Sequence, residues 1–423
     1  MDGFRRNRHA CANLPRLIVA STMSAKRARV AVVLYLLLLQ FLYSWSWSSS
    51  DVLRPLFRRL YGLSLAQAGL AYSAQVGAAL IGALLVGRVQ HRAGRKHTLS
   101  LVAAGCGLSL AAGALVDGLA ALFVQRLALG LFMGAVFPVT VGLVVDMFPP
   151  GQRGRLASLV DATYFSAVIA LGWAAAALIP LDWRLLFWPV GGSLVLLSFG
   201  AHLLALAAHP EDHPRDAPRA RDLFAPPLRA QTLALTAMIS VNACGHQAFV
   251  GWLTVYLSEV DRVSAAGVAA TLTASYLGSI SGCFVWGFVV DRFGRRAGGR
   301  GLIAAGVFSA AFVLLPAPLW ARQVAVFGFG FAFAAIATIG PWLAELYPAR
   351  LRAPATSIFQ WGRCLSLVAP PLTGFLAERF GLPAVMTLAA VAFAMSGLIW
   401  RRLPETHHQA WRSTVLQPNL SGR

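Results

Sequence analysis

Two guanidinium groups, Arg126 and Arg363, sit inside stretches of sequence that are otherwise apolar. A charge in such a stretch is costly and persists where it faces a cavity or a partner. Arginine offers a planar fork of N–H donors that matches a carboxylate, so the two point to recognition of an anionic solute. Arg126 lies about seven residues inside its stretch, roughly 10 Å at the helical rise, and can partly snorkel outward. Arg363 lies about eight residues in, roughly 12 Å from the nearer end, with less escape. The competing reading for each is a bond to an internal acid or to helix carbonyls.

Carrying a proton requires a group that alternates between charged and neutral forms. Asp161, Asp51 and His246 are the candidates. Asp161 has Arg153 and Arg155 near it and Asp51 has Arg54 a turn away, so a structural ion pair competes in both cases. His246 lies in mid-stretch with Asn242 one helical turn before it on the same face and Gly245 and Gln247 adjacent. It can bind solute, carry a proton, or satisfy a carbonyl. Gln40, Tyr43, Ser44 and Tyr276 are further polar or aromatic candidates for a cavity wall.

Other chemistries lack their residues. There is no glycine-rich phosphate loop, and the only lysines are Lys26 and Lys96, which argues against ATP-driven work. The cysteines Cys11, Cys106, Cys244, Cys283 and Cys364 have no metal or redox spacing and read as buried apolar side chains. No nucleophile–base pair stands out. Neither a catalytic residue, a metal site nor a cofactor is expected, and the chain does not read as an enzyme.

The elements that must position these side chains follow from composition. Of 423 residues 57% are hydrophobic and 12% charged, with a mean hydropathy of +0.65. A soluble chain carries about 25% charged residues. Half that density cannot cover a water-soluble surface, so the expectation is an all-α protein in the lipid bilayer, whose helices satisfy their own backbone. The net charge of +20 falls in short clusters between apolar stretches rather than in a nucleic-acid-binding stripe.

Twelve spans are expected, near 30–49, 65–87, 98–115, 119–145, 156–178 and 185–207, then 230–257, 265–289, 301–317, 320–344, 355–376 and 382–400. The tails and the even-numbered connections hold 27 Lys and Arg, the opposite connections 7, and Arg126 and Arg363 complete the 36. That bias puts both termini in the cytoplasm of a multi-pass protein in the inner (plasma) membrane. The domains expected are a tail over 1–28, a six-helix bundle over 29–207, a linker over 208–229, a second bundle over 230–400 and a tail over 401–423. Residues 1–28 are too broken for a signal peptide, and Met23 is an alternative start.

The halves repeat. Gly87 to Lys96 is matched by Gly287 to Arg296, Asp146 to Gly154 by Glu345 to Ala353, and Pro210-Glu211 by Pro404-Glu405. Such duplication is typical of secondary transporters.

With these residues in view, the chain resembles the major facilitator superfamily over about 30–406. The family's G-x-x-x-D-R-x-G-R-K/R signature is complete at 287–296, and at 87–96 it is complete except that His91 replaces the aspartate. The E-x-x-P-x-x-x-R element and Pro404-Glu405-Thr406 also match. Local runs such as Ala66–Leu70, Arg126-x-x-x-Gly130-x-x-x-Gly134-x-x-x-Pro138 and Gly362-Arg363 are similar to those of the aromatic acid:proton symporters, within the metabolite:proton symporter branch. That subfamily carries two aspartates inside helix 1, whereas Leu42 to Trp47 is acid-free here and Asp51 is the first acid.

The resemblance implies two pseudo-symmetric six-helix bundles, a mid-membrane solute site and alternating access, with protons as the coupled ion. It assigns gating to His91, Arg92, Gly94, Arg95, Asp291, Arg292, Gly294, Arg295, Asp146, Arg153, Glu345 and Arg352. The competing reading of these arginines is that they only anchor topology. Neutral His91 would lose the attraction of an acid for a facing helix N-terminus, and protonated His91 would reverse it, giving a weaker or pH-sensitive latch. The function expected is transport of a small polar, anionic metabolite by a monomer. An uncoupled facilitator or exporter, or a non-transporting membrane sensor, remains the alternative.

Overall fold

A computed structural model describes residues 14–147, 150–203, 220–348 and 365–406, together with 351, 355, 358 and 362. The first half comprises α1 (Leu14–Val52), the short α2 (Arg54–Tyr61), α3 (Leu65–Ala93), α4 (Arg95–Ala111), α5 (Leu119–Met147), α6 (Pro150–Asp182) and α7 (Trp188–Leu203). The second comprises α8 (Pro226–Val255), α9 (Ala265–Phe293), α10 (Gly298–Leu314), α11 (Leu319–Phe333), the short α12 (Ile339–Leu346), α13 (Ala369–Phe380) and α14 (Leu382–Arg402). Ten of the described helices are long and apolar enough to cross a membrane. With α7 and α13, they fit the expected twelve-helix, two-bundle architecture.

Several boundaries differ from the sequence expectation for local reasons. Helix α1 begins at Leu14, inside the stretch read as a tail, with Pro15 in its first turn where a missing N–H costs nothing. Helix α8 begins at Pro226 for the same reason. The tenth span is broken into α11, a tighter turn at Ala334–Thr338, and α12. Pro341 within α12 cannot donate to the ladder, which accounts for a change of winding just before it.

The internal repeat is structural. Ser64 and Ser264 each cap the next helix by accepting from the N–H three residues on, Gln67 and Gly267 respectively. Gly94 and Gly294 end α3 and α9 at φ +78° and +91°, backbone that a glycine adopts without strain. The α3–α5 and α9–α11 pairs are each held against each other by glycines at matching positions. A Cβ on Gly130 would lie 2.1 Å from the Gln75 carbonyl oxygen, and one on Gly330 would lie 1.9 Å from that of Ser275. Backbone therefore touches backbone, the close approach that small residues permit between membrane helices.

Large apolar side chains face outward, with Leu84 80% and Phe284 72% exposed, as expected where the solvent is lipid. The two halves meet through α3 against α13 and α6 against α9. Among the described residues, the hydrogen bonds between halves run along the end of the bundle opposite the tails. Ala66 N donates to Glu378 Oε1 at 2.9 Å, Thr254 Oγ1 to the Asp51 carbonyl at 2.7 Å, and Trp173 Nε1 to Thr273 Oγ1 at 3.0 Å.

Candidate functional site

Around Arg126 the chain builds a buried polar cluster from four elements. Serines 48–50 and Asp51 close the far end of α1, Arg54 opens α2, Gln75 projects from α3 and Arg126 from α5. Arg126 is 1% exposed. Its Nη1 donates to Ser49 Oγ at 2.9 Å, Ser50 Oγ at 3.0 Å and Gln75 Oε1 at 3.1 Å, and the guanidinium lies 5.3 Å from the Phe57 ring centroid. Ser50 in turn donates to Gln75 Oε1.

Next to it, Arg54 Nη2 pairs with Asp51 Oδ1 at 2.6 Å. Its Nη1 donates to the Gly251 carbonyl of α8, and the guanidinium stacks 4.5 Å from the Trp252 ring centroid. Arg54 therefore joins the halves from a position that is 2% exposed. Closer to the surface, Arg58 forms an ion pair with Glu259 of the second half. Glu378, which accepts from Ala66, is held below the usual carboxylate range, chiefly by that backbone N–H.

The other expected cavity residues lie deeper toward the tail side. Tyr43 stacks on Trp47 with centroids 6.2 Å apart, and Trp47 meets Tyr72 edge-on at 6.4 Å. Gln40 Nε2 donates to Ser44 Oγ at 3.2 Å. On the other half, the His246 ring lies 5.1 Å from that of Phe333, and Tyr276 meets Phe165 of α6 at 5.9 Å. Asn242 is buried, and its Oδ1 has no hydrogen-bond donor within the described residues.

The gating set divides. His91 and Arg92 are exposed at the end of α3, beside Gly94, and Arg292 is exposed at the end of α9. In the second copy Arg295 donates to Asp291 Oδ1 at 2.9 Å and binds Glu345 through both carboxylate oxygens, Nε to Oε2 at 3.1 Å and Nη2 to Oε1 at 2.6 Å. Thr406 Oγ1 also donates to Glu345 at 2.6 Å. The Glu405 carboxylate accepts from the Arg295 and Arg296 backbone N–H groups at 2.8 and 3.0 Å, beside Gly294. Burial pushes the Glu345 carboxyl up, but its bonds to Arg295 and Thr406 outweigh this and hold it below its ordinary value. Arg363 and Arg352 lie outside the described residues, as do the side chains of Asp161, Asp146, Arg153 and Arg95.

Sequence reading missed the partners of Arg126. Gln75, fully buried inside an apolar span, and the Ser48–Ser50 run were the available signals, since polar side chains placed in hydrocarbon need partners. It also missed the roles of Glu259 and Glu378, whose spacing carries no motif.

The sequence model of the Major Facilitator Superfamily matches residues 36–368 and 263–418. A protein of Cupriavidus pinatubonensis named "Probable 4-methylmuconolactone transporter" is 27% identical over 84% of this chain and 85% of its own length. The 3-(3-hydroxy-phenyl)propionate transporter of Escherichia coli is 29% identical over 80% of this chain and 85% of its own. Among solved structures, that of a mutant of the nucleoside transporter NupG superposes with a TM-score of 0.75 at 14% identity, over 88% of this chain and 99% of that one.

Proposed function

This chain belongs to the Major Facilitator Superfamily and is a multi-pass membrane transporter of a small molecule, and on that premise we propose that it carries an organic carboxylate across a bacterial inner membrane by alternating access, driven by protons. Both tails lie in the cytoplasm, and the bundles over 29–207 and 230–400 rock about the linker at 208–229 as a monomer. The carboxylate class is supported by the relative that carries a phenylpropionate and by the excess of arginine over acid within the spans.

The observation that carries alternating access is the asymmetry of the contacts among the described residues. Arg54–Gly251, Arg58–Glu259 and Ala66–Glu378 tie the two halves together at the end opposite the tails. The Arg295–Glu345–Thr406 clamp lies wholly within the second half. Closure at one end fits a carrier whose cavity opens at the other.

In this reading Tyr43, Gln40, Tyr276, Asn242 and His246 line the solute site at mid-membrane depth, with Arg126 and Arg363 supplying positive charge. Asp51 is the coupling acid. It is faced by Arg54 and Arg126, with Tyr276 of α9 and the Thr254 hydroxyl of α8 nearby. A proton on Asp51 removes the partner that orients Arg54, and so loosens the hold of Arg54 on Gly251.

An uncoupled facilitator is the second reading, favoured by the absence of any acid in Leu42–Trp47. Uptake of labelled 3-(3-hydroxyphenyl)propionate into proteoliposomes, with a sugar as control, decides between them. Accumulation driven by an imposed pH gradient supports symport. Flux indifferent to the gradient favours the facilitator, and flux of the sugar alone overturns the carboxylate assignment.

A further inference from the structure

Within the Arg126 cluster, charge and hydrogen bonding leave a specific surplus. Arg54 and Arg126 are both cationic at any working pH and both nearly inaccessible, while Asp51 is the acid paired with them. Arg54 spends Nη1 on Gly251 and Nη2 on Asp51, and its Nε finds no acceptor among the described residues. Arg126 spends Nη1 on Ser49, Ser50 and Gln75, and its Nη2 finds none. An uncompensated charge and unmatched donors are each costly in a dry interior.

Both guanidiniums line one small pocket whose remaining walls are mostly apolar, among them Phe57, Leu63, Ala71 and Leu122. No carboxylate is among its lining residues. The room is that of about a single water molecule. An organic acid does not fit there, and neither does a hydrated divalent anion. Chloride, only slightly larger than water, is the anion that comes closest to that size, and its single diffuse charge is cheaper to dehydrate than that of a divalent anion.

We propose that this pocket binds chloride between Arg54 and Arg126, as a site distinct from the one lined by Tyr43, Gln40, Tyr276, Asn242 and His246, with Arg126 bordering both. The bound ion balances the second guanidinium. Because Arg54 also holds the Gly251 carbonyl, the ion stabilises the conformation in which the two halves are joined at this end. The proposal does not rest on the substrate class or on proton coupling, since it concerns binding in the absence of any solute.

The test uses the purified full chain exchanged into sodium gluconate. Sodium chloride is titrated in at constant ionic strength and thermal stability is followed by tryptophan fluorescence. The expected result is a saturating rise in melting temperature, reproduced by bromide and absent with sulfate. Ala71→Leu, which fills the pocket and leaves all charges, removes the response, and so does Arg54→Gln. If either variant fails to fold, a bromide-soaked crystal of the wild type gives an independent reading, with an anomalous peak expected within hydrogen-bonding range of both guanidiniums. A wild type that does not respond to chloride, an Ala71→Leu protein that responds like wild type, or a bromide peak elsewhere overturns the proposal. A response to 3-(3-hydroxyphenyl)propionate but not to chloride also overturns it.

Discussion

Arg295 closes on Glu345 through two bonds, Nε to Oε2 at 3.1 Å and Nη2 to Oε1 at 2.6 Å, so the end of α9 is fixed to the end of α12. The carboxylate is held below its ordinary value of 4.5 because the Arg295 and Thr406 bonds outweigh burial. A depressed folded-state value lends stability above the unfolded one, and that stability is lost as pH falls through the folded one. Glu345→Gln is expected to lower stability at neutral pH by about 1 kcal/mol, after allowing for partial exposure. The gap from wild type should narrow as pH falls below 4.5 and through the folded-state value. Melting curves at pH 7 and pH 4 check this, and a gap that widens toward acid would contradict it.

The helix pairs that carry the repeat give the second prediction. A methyl group on Gly330 would have to sit 1.9 Å from the Ser275 carbonyl oxygen, so α9 and α11 must separate to admit it. Gly330→Ala is expected to cost about 1–3 kcal/mol, as overpacked cores do. Gly87→Ala, where no atom stands within 4 Å of the new Cβ, is the control and should fold normally. The monodisperse fraction and melting temperature in detergent distinguish the two.

Arg58 and Glu259 pair across the halves from partly exposed positions, with 18% and 30% of their side chains accessible. Such a pair is worth about 1 kcal/mol at most, a factor of about five in the population of the closed end. Arg58→Glu should therefore leave folding intact but speed labelling by an impermeant maleimide of a cysteine placed at Ala68, in a background without native cysteines. Adding Glu259→Arg should restore the slow rate. Unchanged labelling in the single variant would show that this pair does not hold the end shut.

How much of this could be read in the residues depends on whether a position's role is local. The glycines of the signature and the pairing of Arg295 with Asp291 follow from spacing along one chain segment, and the near-constant offset between halves exposed them. Arg126 was legible as costly, because a guanidinium in an apolar span stands out alone. Its partners were not, since Ser49, Ser50 and Gln75 reach it from two other helices and serine occurs in many spans. The Arg54–Gly251 contact was invisible for a stronger reason. Its acceptor is a backbone carbonyl, which every residue has, so only the packing of α2 against α8 selects it.

Asp51 tests both the packing and the coupling reading. Its carboxylate orients Arg54 at 2.6 Å, and its own backbone carbonyl accepts from Thr254 of the other half at 2.7 Å. Asp51→Asn removes the negative charge but keeps the shape, leaving Arg54 and Arg126 together without their acid. Breaking a buried pair by removing one member costs about 3–5 kcal/mol, whereas removing both members costs much less. Asp51→Asn should therefore be the less stable protein, and the Asp51→Asn, Arg54→Gln double variant should recover most of the loss in melting temperature. Additive losses would mean that the two side chains are not energetically coupled. Transport separates structure from coupling. If Asp51 carries the proton, preparations of Asp51→Asn that remain folded should exchange solute across the bilayer yet fail to accumulate it under an imposed pH gradient. Retained gradient-driven accumulation would remove Asp51 from the coupling path and leave His246 and Asp161 as the groups to test.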